Sequence, residues 1–248
     1  MKAPENGALY HSGVQGSAHP PDWPAIDTVL LDMDGTLLDL GYDMLFWDEL
    51  LPRRLAESRG VSIDEAHRLM RPIFDSTAGT LDWYCIDYWS RALAVDIAAL
   101  KRATRHRTEW LPEARSFLAQ LRSSGRRIAL VTNAHPEILA IKDAHLGICR
   151  RFDAVYSSHQ FGVPKEDAAF WPQLAAREGY DPARTLFADD NRAVLEAARG
   201  HGIRWVYAVR RPVQRGPLRA VDDFPGVESV LELAKGLAAR PQAQLTGP

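Results

Sequence analysis

Asp32 and Asp34 are two carboxylates that lie two residues apart, directly after the apolar run from Thr28 to Leu31, and Gly35 follows them. The apolar run has the composition of a buried parallel strand. One carboxylate can attack a phosphoryl group and carry it, while the second protonates the leaving oxygen and then activates water. Gly35 lets the backbone approach a substrate closely. The pattern predicts phosphoryl transfer, with a solvated acidic turn as the alternative.

Three later segments carry side chains suited to the same chemistry. An apolar run ends at Thr132, whose hydroxyl can donate to a phosphate oxygen, and Lys165 precedes a helical pattern. An ammonium group there would balance the charge of a carboxylate and a phosphoryl group. Another apolar run ends at Asp189 and Asp190. Because four converging carboxylates would repel one another, we expect a hard cation among them, and Mg²⁺ is the usual choice with oxygen ligands and phosphate.

These residues, in this order, resemble the four motifs of the haloacid dehalogenase (HAD) superfamily, whose members are mostly phosphatases. The resemblance extends from about residue 26 to about residue 209. Four stretches, at residues 27–40, 83–90, 132–136 and 161–167, also resemble the bacterial GMP/IMP nucleotidases. The resemblance implies a Mg²⁺-dependent phosphomonoesterase that hydrolyses a purine 5′-nucleotide through an aspartyl-phosphate intermediate.

The resemblance also implies a role for each motif residue. Asp32 is expected to be the nucleophile and a Mg²⁺ ligand, and Asp34 the general acid and base, which also offers its backbone carbonyl to the metal. Asp189 is the expected third metal ligand, and Asp190 is expected behind it or bound through water. The remaining contacts to the phosphoryl group are expected from Thr132, Asn133 and Lys165. Asn191 stands where a serine is frequent in the family, and we expect it to cap the next helix.

Asp34 favours ester hydrolysis over the carbon–halogen cleavage of the haloacid dehalogenases. A halide needs no acid to protonate it, and the dehalogenases resemble this chain without an acid two residues after the nucleophile. A non-enzymatic receiver domain also gathers an acid pair, an Asp, a Thr and a Lys, but its acid pair comes first in the chain, and such domains are about half as long. A capped phosphatase of a sugar phosphate or another small phosphomonoester is the main alternative to a nucleotidase.

The motifs require an α/β fold that brings distant segments together. Strands predicted to end near Asp32, Asn133, Ser157, Asp190 and Val209 alternate with helical patterns. This alternation predicts a Rossmann-like parallel sheet whose carboxyl edge carries the ligands. We predict that residues 25–39 and 110–235 form this HAD-like core, that residues 40–109 form an inserted α-helical cap of the C1 type, and that residues 1–24 and 236–248 are mobile tails.

The predicted cap is rich in aromatic residues. Trp83 and Tyr84 are the ones that we predict to contact a purine, close to Trp47, Tyr88 and Trp89. A purine needs flat apolar surface and a few polar partners. For any single ring, packing inside the cap is the favoured alternative, because aromatic stripes at helical spacing usually pack.

Length and composition predict a soluble enzyme. The chain has 248 residues and a net charge of −2, so no broad basic field predicts a nucleic-acid or membrane partner. Two cysteines, Cys85 and Cys149, predict reduced thiols and a cytoplasmic location. The basic run 101–107 is interpreted as a solvated face, and His135 and His159 as structural residues. The sequence leaves the oligomeric state open.

Overall fold

The computed structural model describes residues 19–221 and 223–239. Within them, six parallel strands form one sheet in the order β3-β2-β1-β4-β5-β6. This order confirms the predicted Rossmann-like α/β class, and it differs from the 2-1-3-4-5 order of receiver domains. The strands are β1 (Thr28–Leu31), β2 (Arg127–Thr132), β3 (Ala154–Ser157), β4 (Thr185–Asp189), β5 (Trp205–Val209) and β6 (Gly226–Val227).

Nine α-helices occur in the described chain, of which five lie within residues 40–109, one lies between them and β2, and three follow β2. The first five are α1 (Gly41–Leu45), α2 (Leu51–Arg59), α3 (Ile63–Thr77), α4 (Ile86–Leu93) and α5 (Ile97–Thr104). The others are α6 (Ala114–Ser123), α7 (Pro136–Leu146), α8 (Phe170–Glu178) and α9 (Arg192–Gly200). One π-helical turn, Phe46–Leu50, joins α1 to α2.

Side chains of the sheet alternate between two buried apolar clusters. Val29 and Leu31 of β1 belong to the cluster that includes α6, whereas Leu30 belongs to the cluster that includes α8 and α9. This alternation follows the period of two of a β-strand. Both faces of the sheet are therefore covered, and the exposed polar groups are confined to the ends of its strands.

The helices of residues 40–109, here called the helical insertion, have an apolar cluster of their own. Phe46, Leu55 and Trp89 are fully buried in it, and Ile138 and Ile141 of α7 pack against the same cluster. The two chain connections to the insertion run side by side, since the Asp39 N–H donates to the Glu109 carbonyl at 2.9 Å. Helix α7 is thus the element of the core that supports the insertion.

Parts of the predicted tails are packed in the structure. Trp23 is only 1% exposed, and its indole N–H donates to the Leu233 carbonyl at 2.9 Å. The Arg126 guanidinium donates to the carbonyl of Ala238 at 2.9 Å. Each predicted tail therefore contains a residue that contacts the core, and burial of the large Trp23 ring favours this contact at the N-terminal side. The mobility of the tails stays a prediction. The rest of the predicted tails, residues 1–18 and 240–248, lies outside the described residues.

Both cysteines are free thiols. None of the helices in the described ranges combines the length and the apolar character needed to cross a bilayer.

Candidate active site

The register of the sheet places the motif residues at one edge. Leu31 pairs with Leu130 of β2 and with Ala188 of β4, so the next residues of each strand meet at the carboxyl edge. Asp32 donates its backbone N–H to the Ala188 carbonyl at 3.1 Å. Asp189 is likewise at the end of its strand, and this residue is only 1% exposed. Positions more than 150 residues apart in the chain therefore become neighbours.

Lys165 lies between two of the buried carboxylates. Its Nζ donates to Asp32 Oδ1 at 2.5 Å, to Asp189 Oδ2 at 2.7 Å and to the Val131 carbonyl at 3.0 Å. Burial opposes the charge of Lys165, but the two carboxylates raise its pKa above its ordinary value. The ammonium group is therefore held as a fixed cation at the strand ends.

Asp190 joins Asp32 and Asp189 in a carboxylate cluster, with one oxygen of each within 4.8 Å of the others. Burial raises the pKa of Asp32 to about 7, that of Asp189 to about 6 and that of Asp190 to about 7. Arg219 donates to Asp190 Oδ2 at 2.7 Å and opposes this effect. Since Lys165 and Arg219 do not offset the burial of three carboxylates, the oxygen-rich cluster suits a hard divalent cation.

Gly35 makes this cluster possible. Its φ is +89°, and a Cβ at this position would lie 2.5 Å from Asp190 Cγ. Any other residue would therefore both strain the backbone and push the Asp190 carboxylate away.

The Asp34 side chain lies outside the carboxylate cluster, in a buried chain of alternating charges. Lys142 Nζ donates to Asp34 Oδ1 at 2.6 Å and to Asp43 Oδ2 at 2.7 Å, and Lys101 Nζ donates to Asp43 Oδ1 at 2.5 Å. Burial raises the pKa of Asp34, and Lys142 opposes it. Burial would also raise the pKa of Asp43, but Lys101 and Lys142 hold it below its usual range. The chain joins Asp34 to helices α7, α1 and α5.

Lys101 is only 2% exposed, so its interpretation as part of a solvated basic face was wrong. It is buried because Asp43 neutralises it and because the rings of Tyr42 and Phe46 lie 4.6 and 3.9 Å from its Nζ.

Glu166 connects the insertion to two of the motifs. It accepts from the Tyr84 hydroxyl at 2.5 Å, from Asn133 Nδ2 at 2.8 Å and from Asn191 Nδ2 at 3.1 Å. Asn133 Oδ1 also accepts from the Lys165 N–H at 2.9 Å. Both ends of the Asn133 amide, predicted to contact substrate, are therefore used to position Lys165 and Glu166. Asn191 caps α9 as predicted, with Oδ1 accepting from the Ala193 N–H at 3.0 Å.

Thr132 and Trp83, two of the predicted substrate contacts, are only partly engaged by other residues. Thr132 Oγ1 accepts from the Ala134 N–H at 3.0 Å, which leaves its own hydroxyl hydrogen for another acceptor. Trp83 is half-buried, with its ring centroid 5.4 Å from that of Phe74 in the insertion. Trp89 is fully buried, as expected if it packs inside the insertion.

Sequence reasoning did not single out Lys142, Asp43, Glu166 or Arg219. For Lys142 a signal exists, because it is four residues after Ile138 and next to Ile141, on the apolar side of α7. A lysine on that side predicts a buried anionic partner. Arg219 follows no periodic pattern, since it lies in the loop before β6.

Comparisons with known proteins agree with this geometry. The chain is 44% identical to the GMP/IMP nucleotidase YrfG of Escherichia coli (strain K12) over 190 residues, which cover 77% of this chain and 86% of that protein. A solved structure of a HAD phosphatase from Thermococcus onnurineus superposes with a TM-score of 0.72, at 23% identity, over 86% of this chain and 99% of that one.

A structure of an L-2-haloacid dehalogenase from Xanthobacter autotrophicus also superposes, with a TM-score of 0.58 at 23% identity, over 86% of this chain and all of that one. The fold alone therefore does not separate the two chemistries. Residues 26–202 match the family model described as haloacid dehalogenase-like hydrolase. The resemblance predicted from the four motifs is confirmed, and the chain belongs to the haloacid dehalogenase-like hydrolase family.

Proposed function

We propose that this hydrolase is a Mg²⁺-dependent phosphomonoesterase that cleaves a purine 5′-nucleotide, with GMP or IMP as its substrate. The observation that carries the proposal is the meeting of a nucleophilic carboxylate, a separate acid and a buried lysine at one sheet edge, in Asp32, Asp34 and Lys165. The 44% identity to a GMP/IMP nucleotidase supports the choice of substrate.

Asp32, Asp189 and Asp190 are the side chains that would hold Mg²⁺, because their carboxylates form the buried cluster. Asp190, expected from the sequence behind Asp189 or bound through water, thereby becomes a direct ligand of the metal. Asp34 offers only its backbone carbonyl, since Lys142 binds the Asp34 carboxylate. Bound Mg²⁺ would screen the repulsion between the nucleophile and the phosphoryl oxygens.

Asp32 attacks the phosphorus through the oxygen that Lys165 does not hold. Lys165 Nζ contacts Oδ1 at 2.5 Å, so the carboxylate is fixed in orientation while Oδ2 remains for the new O–P bond. The ester bond to the leaving oxygen breaks as this bond forms. Lys165 and the Thr132 hydroxyl would bind the phosphoryl oxygens as negative charge shifts onto them.

Asp34 supplies the proton to the leaving nucleoside oxygen, then removes one from the water that hydrolyses the aspartyl phosphate. Burial raises its pKa, which keeps it protonated closer to neutral pH. Lys142 fixes its Oδ1 at 2.6 Å, so the remaining oxygen carries the proton.

The helical insertion acts as the cap that selects the nucleoside. Trp83 and Tyr84 lie where the insertion meets the core, because the Tyr84 hydroxyl donates to Glu166, the residue after Lys165. In this arrangement Tyr84 positions the edge of the site, and the half-buried Trp83 ring offers a flat face to a purine. The substrate is a small molecule, and no nucleic-acid or membrane partner is proposed. The cytoplasmic location stays a prediction.

The test is phosphate release in the presence of Mg²⁺ from GMP, IMP, AMP, a pyrimidine monophosphate, a sugar phosphate and an aryl phosphate. Asp32→Asn is the control, since it keeps the size of the side chain but removes the nucleophile. We expect a strong preference for GMP and IMP and loss of turnover in Asp32→Asn, with unchanged circular dichroism.

Each other outcome contradicts a separate part of the proposal. A flat profile, or an optimum with the sugar phosphate, would contradict the substrate assignment and favour the alternative phosphatase. Turnover retained in a folded Asp32→Asn variant would contradict the nucleophile assignment.

A further inference from the structure

Cys85, His135 and His159 form a second cluster of metal-binding side chains, apart from the carboxylates. One ligand atom of each lies within 4.8 Å of the other two, and all three residues are half-buried. Cys85 belongs to the helical insertion, just before α4. His135 caps the start of α7 and His159 follows β3, so both imidazoles belong to the core. The cluster therefore spans the junction between the insertion and the core.

His159 presents a buried nitrogen that lacks a partner. Among the described residues nothing forms a hydrogen bond with its Nε2, which is shielded from solvent. Burial and the neighbouring His135 lower the pKa of His159 to about 4, so the ring is neutral. A buried imidazole nitrogen without a partner carries the cost of an unmade hydrogen bond, and a bound metal ion would remove that cost.

His135 has the surroundings of a metal ligand. Its Nε2 lies 3.7 Å from Asp87 Oδ2, and its Nδ1 accepts only a long hydrogen bond of 3.3 Å from the Glu137 N–H. A metal ion at Nδ1 would replace this long bond and leave Nε2 facing the Asp87 carboxylate, and a carboxylate beside the other ring nitrogen is usual for imidazoles that bind metals. The rings of His135 and His159 are 4.9 Å apart between centroids and nearly perpendicular, so the two imidazoles are direct neighbours.

We propose that Cys85, His135 and His159 form a Zn²⁺ site that joins the helical insertion to the core. A thiolate with two imidazoles prefers Zn²⁺ and rejects Mg²⁺, which takes oxygen ligands. Zn²⁺ binds sulfur at about 2.3 Å and nitrogen at about 2.0–2.1 Å, so small side-chain rotations must bring the three atoms closer. The Cys85 thiol releases its proton to solvent when its sulfur binds the ion. Water would complete a tetrahedral site.

Bound Zn²⁺ would fix the insertion against the core beside Thr132 and Asn133, which precede His135 by three and two residues. If a nucleotide enters and leaves through movement of the insertion, Zn²⁺ then slows turnover. This consequence rests on the proposed function, whereas Zn²⁺ binding itself does not.

The test uses the full chain, with Co²⁺ as a spectroscopic substitute for Zn²⁺ and with excess Mg²⁺ present. A thiolate bound to Co²⁺ gives a near-ultraviolet charge-transfer band that carboxylate ligands do not give. We expect this band in the unaltered chain, and we expect Zn²⁺ to remove it at one equivalent. Cys149→Ser should keep the band, because Cys149 is the other thiol of the chain and lies outside the cluster.

Cys85→Ser should lose the band, and His159→Gln should weaken Zn²⁺ binding at least tenfold while the band is retained at saturation. Zn²⁺ should also slow alkylation of Cys85 in the unaltered chain, which tests the site without any substitution. The proposal is overturned if the unaltered chain gives no band, if Cys85→Ser keeps it, or if alkylation of Cys85 is indifferent to Zn²⁺.

Discussion

Single atoms decide the geometry of the carboxylate cluster. Gly35 has no Cβ, and the Asp190 carboxylate occupies the space where that atom would be, 2.5 Å away at Cγ. The chain after β1 can therefore turn at Gly35 while the carboxylates of Asp32, Asp189 and Asp190 stay close together. The position of Asp190, and with it the capacity for a divalent cation, depends on the absence of one methyl group.

Gly35→Ala is expected to lower kcat/KM about 100-fold, because displacement of a group at the site by about 1 Å can cost that much. Gly60→Ala is the matched control. Gly60 also has a positive φ, +65°, but no atom lies within 4 Å of a Cβ built on it. That variant should lose only about 1–2 kcal/mol of the free energy of unfolding and keep its kcat/KM. Steady-state kinetics and urea unfolding check both, and equal kcat/KM values for the two variants would contradict the role of Gly35.

At the level of elements, the charge chain links three helices to the residue that we propose as the general acid. Asp43 of α1 lies between Lys101 of α5 and Lys142 of α7, and Lys142 in turn binds Asp34. Such buried pairs cost much to desolvate, and removal of one partner leaves a buried charge without compensation. The arrangement couples the position of the insertion to the ionisation of Asp34.

Lys142→Met is expected to lower the free energy of unfolding by about 3–5 kcal/mol, because it leaves Asp34 and Asp43 less compensated. Loss of the ammonium group also raises the pKa of Asp34, so the alkaline limb of the pH–rate profile should move to higher pH. Lys101→Met is the control, since Lys101 contacts Asp43 and not Asp34. It should be destabilised without a comparable shift of that limb. Identical pH profiles for the two variants would reject the link between Lys142 and the acid.

The turn before α4 offers a separate test of the insertion. Trp83→Ala should lower kcat/KM for GMP about tenfold or more, since stacking on a base is worth about 1–3 kcal/mol, and should leave an aryl phosphate less affected. Tyr84→Phe keeps the ring but removes the donor to Glu166, so it should affect both substrates alike. If Trp83→Ala reduces both substrates equally, the Trp83 ring is a packing residue.

Much of the sheet and of the motif edge could be predicted from the sequence, because apolar runs that end in polar residues mark the carboxyl ends of parallel strands. The strand ends predicted near Asp32, Asn133 and Asp190 lie within a residue of those observed. Strand β6 was not predicted, because two residues are too few to show a strand pattern in the sequence. The partners of Asp34 were not predicted, because Asp43, Lys101 and Lys142 come together only when the insertion packs on α7.

Across the whole molecule, the carboxylate cluster makes stability depend on both pH and Mg²⁺. The pKa of Asp32 is about 7, that of Asp189 about 6 and that of Asp190 about 7, all above the ordinary value of 3.8. An acid whose pKa is raised by folding is destabilising once it must ionise, so these groups weaken the metal-free fold as pH rises from about 4 to about 7. Mg²⁺ would remove this penalty.

Mg²⁺ is therefore expected to raise Tm more at about pH 8 than at about pH 5.5, because protons compete with the ion at the lower pH. Differential scanning fluorimetry measures the Tm with and without Mg²⁺ at each pH. The effect of other titrating groups cancels when the two Tm values at one pH are subtracted. Asp189→Asn serves as the control and should show little response to Mg²⁺ at either pH. A Tm shift that is equal at both pH values would contradict the cluster as the binding site.

The paired connections at Asp39 and Glu109 make the helical insertion a segment that can be exchanged as a unit. Because the chain leaves the sheet and returns to it through hydrogen-bonded neighbours 2.9 Å apart, the segment between them can be lengthened, replaced or exchanged without changing the order of the strands. Substitution of another helical segment at these two points would keep the carboxylates of the sheet edge in place. Substrate preference could then diverge by recombination at a single pair of crossover points, while the hydrolytic residues are inherited unchanged.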